Sequence, residues 1–186
     1  MIKPMSDHSQ NQILSSVIKG SIIIKNAGLV LMNSYIPILF DRLAVFKNNQ
    51  FLNTATQLDA VHYLQYVVTG MSNTAESFMV LNKVLCGLAI QEPVQAGIII
   101  TNAQQQLIEG LINAVIAHWP AVGSSSISGF RGNWLVRDGL LTEQDEKWEL
   151  TIEKRAYDIL INKCPFSFSL IKYPWMNKPL HVNWNY

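Results

Sequence analysis

Trp148-Glu149-Leu150-Thr151-Ile152-Glu153 is the stretch that decides the fold class. Apolar residues stand at every second position, with Glu149, Thr151 and Glu153 between them, so one set lies on each face of a half-buried β-strand. The same period returns downstream. Phe166, Phe168 and Leu170 alternate with two serines, and Leu180, Val182, Trp184 and Tyr186 alternate with His181, Asn183 and Asn185. These patterns predict strands over 148–153, 166–171 and 180–184, paired as a small antiparallel sheet of about three strands. One helix is interspersed, Ala156 to Asn162, with Tyr157, Leu160 and Ile161 on a face.

Upstream of Leu141 the period is helical. Leu107, Ile108, Leu111, Ile112, Val115, Ile116 and Trp119 alternate spacings of one and three over more than three turns. That pattern buries Leu111, Ile112, Val115 and Trp119, leaves Gln104, Gln105, Gln106, Glu109 and Asn113 outside, and ends at Pro120. Shorter helices are predicted over Asp59 to Val68, stopped by Gly70, over Ala75 to Leu88, and from Ser128 to Val136 after a loop from Val122 to Ser126. Asn26 reads as the N-cap of a helix apolar on nearly all faces, which Pro37 kinks or splits. Asp138-Gly139 reads as a turn. Helices thus fill most of 26–120, and the class is α+β: mainly helical for the first two-thirds, then sheet. Residues 1–20 are a polar tail, frayed or weakly helical, and 21–186 one globular domain.

Composition narrows the function classes. The 186 residues suit one domain, and 49% hydrophobic against 15% charged residues can bury a sizeable core. Asn (15) and Gln (11) nearly equal the 27 charged residues, so neutral amides carry much of the surface solvation. A net charge of +1 lacks the clustered positive field that a duplex nucleic acid needs, and no nucleic-acid partner is expected. The most apolar run, Ile22 to Phe40, is interrupted by Lys25, Asn26, Asn33, Ser34 and Pro37, which makes it core rather than a membrane span. Met1 to Gln12 lacks the apolar stretch of a signal peptide. Two cysteines and four scattered histidines form neither a disulfide framework nor a metal-ligand spacing, so no cofactor or metal is expected and the folding environment is reducing.

Candidate chemistry is sparse. No nucleophile motif, metallohydrolase helix or phosphate-cradling glycine loop is present, and no catalytic residue is assigned. Cys86 with His62 or His118 could form a nucleophile pair, but a cysteine inside an apolar helix reads first as core, and both histidines as packing groups. Glu143, Asp145, Glu146, Glu149 and Glu153 put five of the thirteen acids in the 143–153 segment, which a solvated turn and a strand's polar face explain. Trp175, between Pro174 and Met176, stands where the chain crosses the surface between strands, and is the one residue singled out as a partner-binding anchor. Trp184 shares the apolar face of its strand and reads as core.

Taken in order, the residues resemble a known family. Asn26-Ala27-Gly28-Leu29-Val30-Leu31, Pro37, Phe40, Tyr63-Leu64-Gln65-Tyr66 with Thr69-Gly70, and Leu81-Asn82-Lys83-Val84-Leu85-Cys86-Gly87 open the series. Ala114-Val115-Ile116, His118-Trp119, Phe130-Arg131, Trp134-Leu135, Arg137, Gly139, Trp148-Glu149-Leu150, Asp158-Ile159-Leu160, Ile171-Lys172 and Pro174-Trp175-Met176 follow. Across residues 24–184 they resemble the tape measure proteins of contractile injection systems, the phage-tail-like extracellular particles. The resemblance implies a non-enzymatic assembly component that meets tube, hub or spike, and baseplate proteins. It also implies a homo-oligomer within the assembly, a cytoplasmic location while the particle is built, and a place in the released particle. A fully helical chain gains about 1.5 Å per residue, so a chain punctuated by Pro and Gly that ends in sheet is not itself an extended ruler. It reads as the globular portion of a longer tape or as a short member that docks without measuring. Two other readings stay open: a small-molecule-binding or hydrolytic domain using Cys86 or the 143–153 acids, and a particle-specific chaperone.

Overall fold

The computed structural model describes residues 20–185. The expected polar tail, apart from Gly20, lies outside the described residues, as does Tyr186. Strand β1 (Ser21–Ile24) comes first, followed by a 3-10 helix over Ala27–Met32 whose six residues are all buried. Asn26 does not cap it with its side chain; that amide donates instead to Gln65 Oε1 and Asn82 Oδ1, at 3.1 and 2.6 Å. Helix α1 (Ile36–Arg42) is separate, with Pro37 in its first turn, where the missing N–H has no helical partner to lose. The apolar run is therefore split, as Pro37 foretold.

Strands β2 (Phe46–Lys47) and β3 (Gln50–Phe51) form a hairpin through Asn48 and Asn49, whose φ of 52° and 62° are those that asparagine tolerates in a two-residue turn. Helix α2 (Thr54–Thr69) is longer than the sequence pattern suggested, because Asn53 and Thr56 build a reciprocal cap ahead of the first apolar residue. Gly70, at φ 71°, ends it. The expected 75–88 helix is divided into a 3-10 turn over Glu76–Phe78 and helix α3 (Val80–Leu85). Helix α4 (Asn102–His118) is the strongest predicted helix, with a second reciprocal cap from Thr101 and Gln104. Leu111, Ile112, Val115 and Trp119 are buried on it or at its end. Helix α5 (Ile127–Phe130) runs into a π-type turn over Arg131–Leu135.

Strands β4 (Gly139–Glu143), β5 (Trp148–Ile152), β6 (Leu170–Ile171) and β7 (Leu180–Asn183) complete the fold, with a 3-10 helix over Asp158–Lys163 between β5 and β6. The α+β class holds, but the sheet is larger than three strands and mixed. Its order is β1-β4-β5-β7-β6, with β5 and β7 parallel and the other pairs antiparallel. β1 has no alternation to betray it, since Ser21–Ile24 reads Ser-Ile-Ile-Ile, and β4 begins at a glycine that looks like a turn. Phe166 and Phe168 lie before β6, although both pack on the core. Ile24, Leu141, Leu150, Ile152, Leu180 and Val182 turn to the helices and join the helical residues in one buried cluster. Gly28 fits because a Cβ there would stand 1.7 Å from the Trp134 carbonyl, so the first 3-10 helix can lie directly on the π-type turn.

Candidate functional site

Trp175 sits in a tight turn in which Met176 N donates to Tyr173 O at 3.0 Å. The turn is clamped to the end of α3: the indole Nε1 donates to Leu85 O at 2.8 Å, and Gly87, at φ 73°, leaves room for the Trp175 carbonyl, which a Cβ would meet at 2.2 Å. The ring stacks on Tyr173 at 4.7 Å between centroids and meets Phe46 at 4.8 Å, Phe51 at 5.7 Å and Phe40 at 6.1 Å. The indole is therefore half-buried and rigid rather than presented whole. With Pro174 and Phe51 it walls an open cleft of 540 Å³, whose polar side comes from Asn48, Asn49, Gln50, Asn53 and Gln57. Among the described residues, no charged side chain lines this cleft. Two of its amides are engaged, Asn53 in the α2 cap and Gln57 in a bond from Nε2 to Cys86 O at 2.8 Å. Asn48, Asn49 and Gln50 are exposed on the hairpin.

Trp184 is core, as its strand position implied, and it belongs to a feature that the sequence reading missed. Arg137 and Asp158 are both wholly excluded from solvent. The guanidinium donates to both carboxylate oxygens, at 2.9 and 2.7 Å, and also to the backbone carbonyls of Asn133 and Glu153. Trp184 Nε1 and the backbone N–H of Arg155 complete the carboxylate's partners at 3.0 and 2.9 Å. Trp134, Tyr157 and Trp184 surround the cation at 5.2 to 5.4 Å from their ring centroids. Burial alone would raise the pKa of Asp158, but these donors outweigh it and hold the carboxyl below its ordinary range. Each guanidinium nitrogen has a partner within the chain, so the pair is a structural joint between the segment before β4 and the 3-10 helix after β5. No local pattern gave the pair away: Trp134 and Arg137, Asp158, and Trp184 lie in three separate stretches of the chain, and only three-dimensional proximity joins them.

Cys86 is fully buried at the end of α3, and burial pushes its thiol far above the usual range, opposite to what a nucleophile needs. His62 is buried on α2, and desolvation lowers its pKa against the opposing pull of Asp59 and the Gln95 backbone. His118 is exposed, stacked on Tyr35, with Nδ1 and the Tyr35 hydroxyl 2.6 Å apart. Neither histidine has Cys86 among its hydrogen-bond partners. Glu143 pairs with Lys178 at 2.8 Å, Glu149 with Lys147 at 3.4 Å, and Glu153 with Arg155 at 4.0 Å, while Asp145 and Glu146 are exposed in the turn. Among the described residues, no three His, Cys, Asp or Glu groups converge as metal ligands, and no helix is long and apolar enough to cross a membrane.

The α+β chain thus spends its buried Arg137–Asp158 pair on its own architecture and edges an open cleft with a half-exposed indole. The chain belongs to the contractile injection system tape measure protein family, which it matches over residues 3–184. No curated protein and no solved structure matched it.

Proposed function

We propose that the chain is a non-enzymatic assembly component of its injection particle and that it docks onto other particle proteins, whether tube, hub or baseplate, through the cleft edged by Trp175. The observation that carries the reading is the cleft's make-up. A rigid indole edge is flanked by the exposed amides of Asn48, Asn49 and Gln50, and no charge must be desolvated when a partner enters. Aromatic surface already fixed by four neighbouring rings loses little rotamer entropy on binding. Residues 21–186 act as one domain in this reading, assembled in the cytoplasm and carried into the released particle.

The test is affinity capture from cells making all the particle proteins, comparing the wild-type chain with Gln50→Arg and Thr54→Arg, two exposed positions on the cleft. Wild type retrieves a particle protein, and both variants retrieve it at least about tenfold less while unfolding at the same temperature. Equal retrieval removes the cleft from the docking surface. A chain captured during assembly but missing from finished particles is a chaperone rather than a component.

A further inference from the structure

A pocket of 140 Å³ opens between the C-terminal end of α2, the segment that follows it, and Val136. Val68, Met71, Phe78 and Val136 make its walls apolar, and Asn26 and Thr74 also belong to its lining. Among the described residues, four buried side-chain polar atoms have no hydrogen-bond partner, and two of them, Asn26 Oδ1 and Thr74 Oγ1, come from this one lining. A buried polar atom left unpaired is costly. Two of them around a single cavity point to a group that enters it.

Neighbouring amides dictate which end of Asn26 is free. Asn82 Nδ2 donates to the Val61 carbonyl at 3.0 Å, which leaves Asn82 Oδ1 to accept from Asn26 Nδ2 at 2.6 Å. Gln65 Oε1 accepts from both amides, at 3.1 Å each. Turning the Asn26 amide over would set its oxygen against two oxygens, so the unpartnered atom is an acceptor that calls for a donor. Thr74 is held through its backbone, whose N–H donates to Ala96 O at 2.9 Å, and its free hydroxyl can donate or accept. Charge is not called for. Lys25, the one charged residue of the lining among the described residues, already pairs with Asp138 at 2.8 Å. Size and walls add the rest. A cavity of about 150 Å³ holds a benzene-sized group, and the Met71 thioether and the Phe78 ring both favour aromatic contact.

We infer that this pocket binds a small uncharged aromatic alcohol of about phenol's size, with its hydroxyl turned to Asn26 and Thr74. The site shares no lining residue with the Trp175 cleft and stands apart from the docking reading. Titrating the isotope-labelled chain with p-cresol, and with toluene as the analogue that lacks the hydroxyl, tests it by NMR. p-Cresol is expected to shift the backbone resonances of Val68, Met71 and Thr74 saturably, and toluene to bind at least about tenfold more weakly. Thr74→Val removes a hydroxyl that has no partner, so it should keep the unfolding temperature and narrow that gap. Met71→Trp, at a position 52% exposed, should also keep the fold and fill the pocket, abolishing saturable binding. The inference is overturned if p-cresol causes no saturable shift or toluene binds as tightly. A gap unchanged in Thr74→Val, or p-cresol shifts that persist in a folded Met71→Trp chain, overturns it as well.

Discussion

Arg137 and Asp158, 21 residues apart in sequence, share two hydrogen bonds in a site from which water is excluded, closed by the indoles of Trp134 and Trp184 and the ring of Tyr157. The pair ties the turn before β4 to the 3-10 helix after β5, and so fixes two crossings of the sheet at once. Breaking it from one side leaves a buried charge unpaired. Arg137→Met or Asp158→Ala is expected to cost about 3–5 kcal/mol of unfolding free energy. The double variant Arg137→Met/Asp158→Leu should cost much less than the sum of the single changes, because no charge is then stranded. Urea titration of the four proteins reads both numbers; additive losses would mean that the two groups do not depend on each other.

Acid should weaken the fold in two stages. His62 and Asp158 both have folded-state pKa values below their unfolded ones, His62 through burial, Asp158 through its donors against burial. For such groups the unfolded chain binds protons first as pH falls. Stability is complete above each unfolded value and is lost below about 6.5 for the histidine and below about 3.9 for the aspartate. Unfolding midpoints measured from pH 8 to pH 3 should show both losses, and His62→Gln should remove the first while leaving the second.

Helix α4 should depend on its buried stripe. Leu111, Ile112 and Val115 are enclosed, and Leu111→Ala is expected to cost about 2–5 kcal/mol in a denaturant titration. A loss below about 1 kcal/mol would show that the site collapses around the smaller side chain.

Thiol chemistry separates a structural cysteine from a reactive one. In a Cys164→Ser background only Cys86 remains, and its buried, neutral thiol should resist a disulfide reagent in native buffer and react once the chain is unfolded. Rapid modification of the native protein would reopen the hydrolytic reading.

Period alone revealed α4, β5 and β7, because each buries one face against one neighbouring layer, and burial of one face is what alternation records. It could not reveal β1. Ser21–Ile24 lies at the sheet edge and spans only four residues, and its membership depends on pairing with β4 through residues more than a hundred positions away. The parallel register of β5 and β7 was likewise set by the crossover through Asp158–Lys163, not by either strand's pattern. Several residues that carried the family resemblance have structural tasks that the sequence did not disclose. Asn26, Gln65 and Asn82 bond one another in the core, Arg131 donates to the Tyr66 and Val67 carbonyls at the end of α2, and Gly28 admits the Trp134 carbonyl. Trp175 was visible as an aromatic between Pro174 and Met176 where the chain crosses the surface. Its four ring neighbours come from the hairpin, α1 and the adjacent Tyr173, and no local pattern announces them. That packing makes Trp175→Ala destabilising in its own right, so polar changes on the hairpin are the ones that test the proposed docking.

Cross-linking mass spectrometry on purified particles puts the docking account to its most direct test. Lys47, exposed on the hairpin strand beside the Trp175 cleft, and Lys172, just before the Trp175 turn, are ready reporters. The account predicts that the chain is present in the particles and that these two lysines link to another particle protein, with the links lost in Gln50→Arg. Particles that lack the chain, or links to other proteins that arise only from lysines on remote faces and persist in Gln50→Arg, would contradict it.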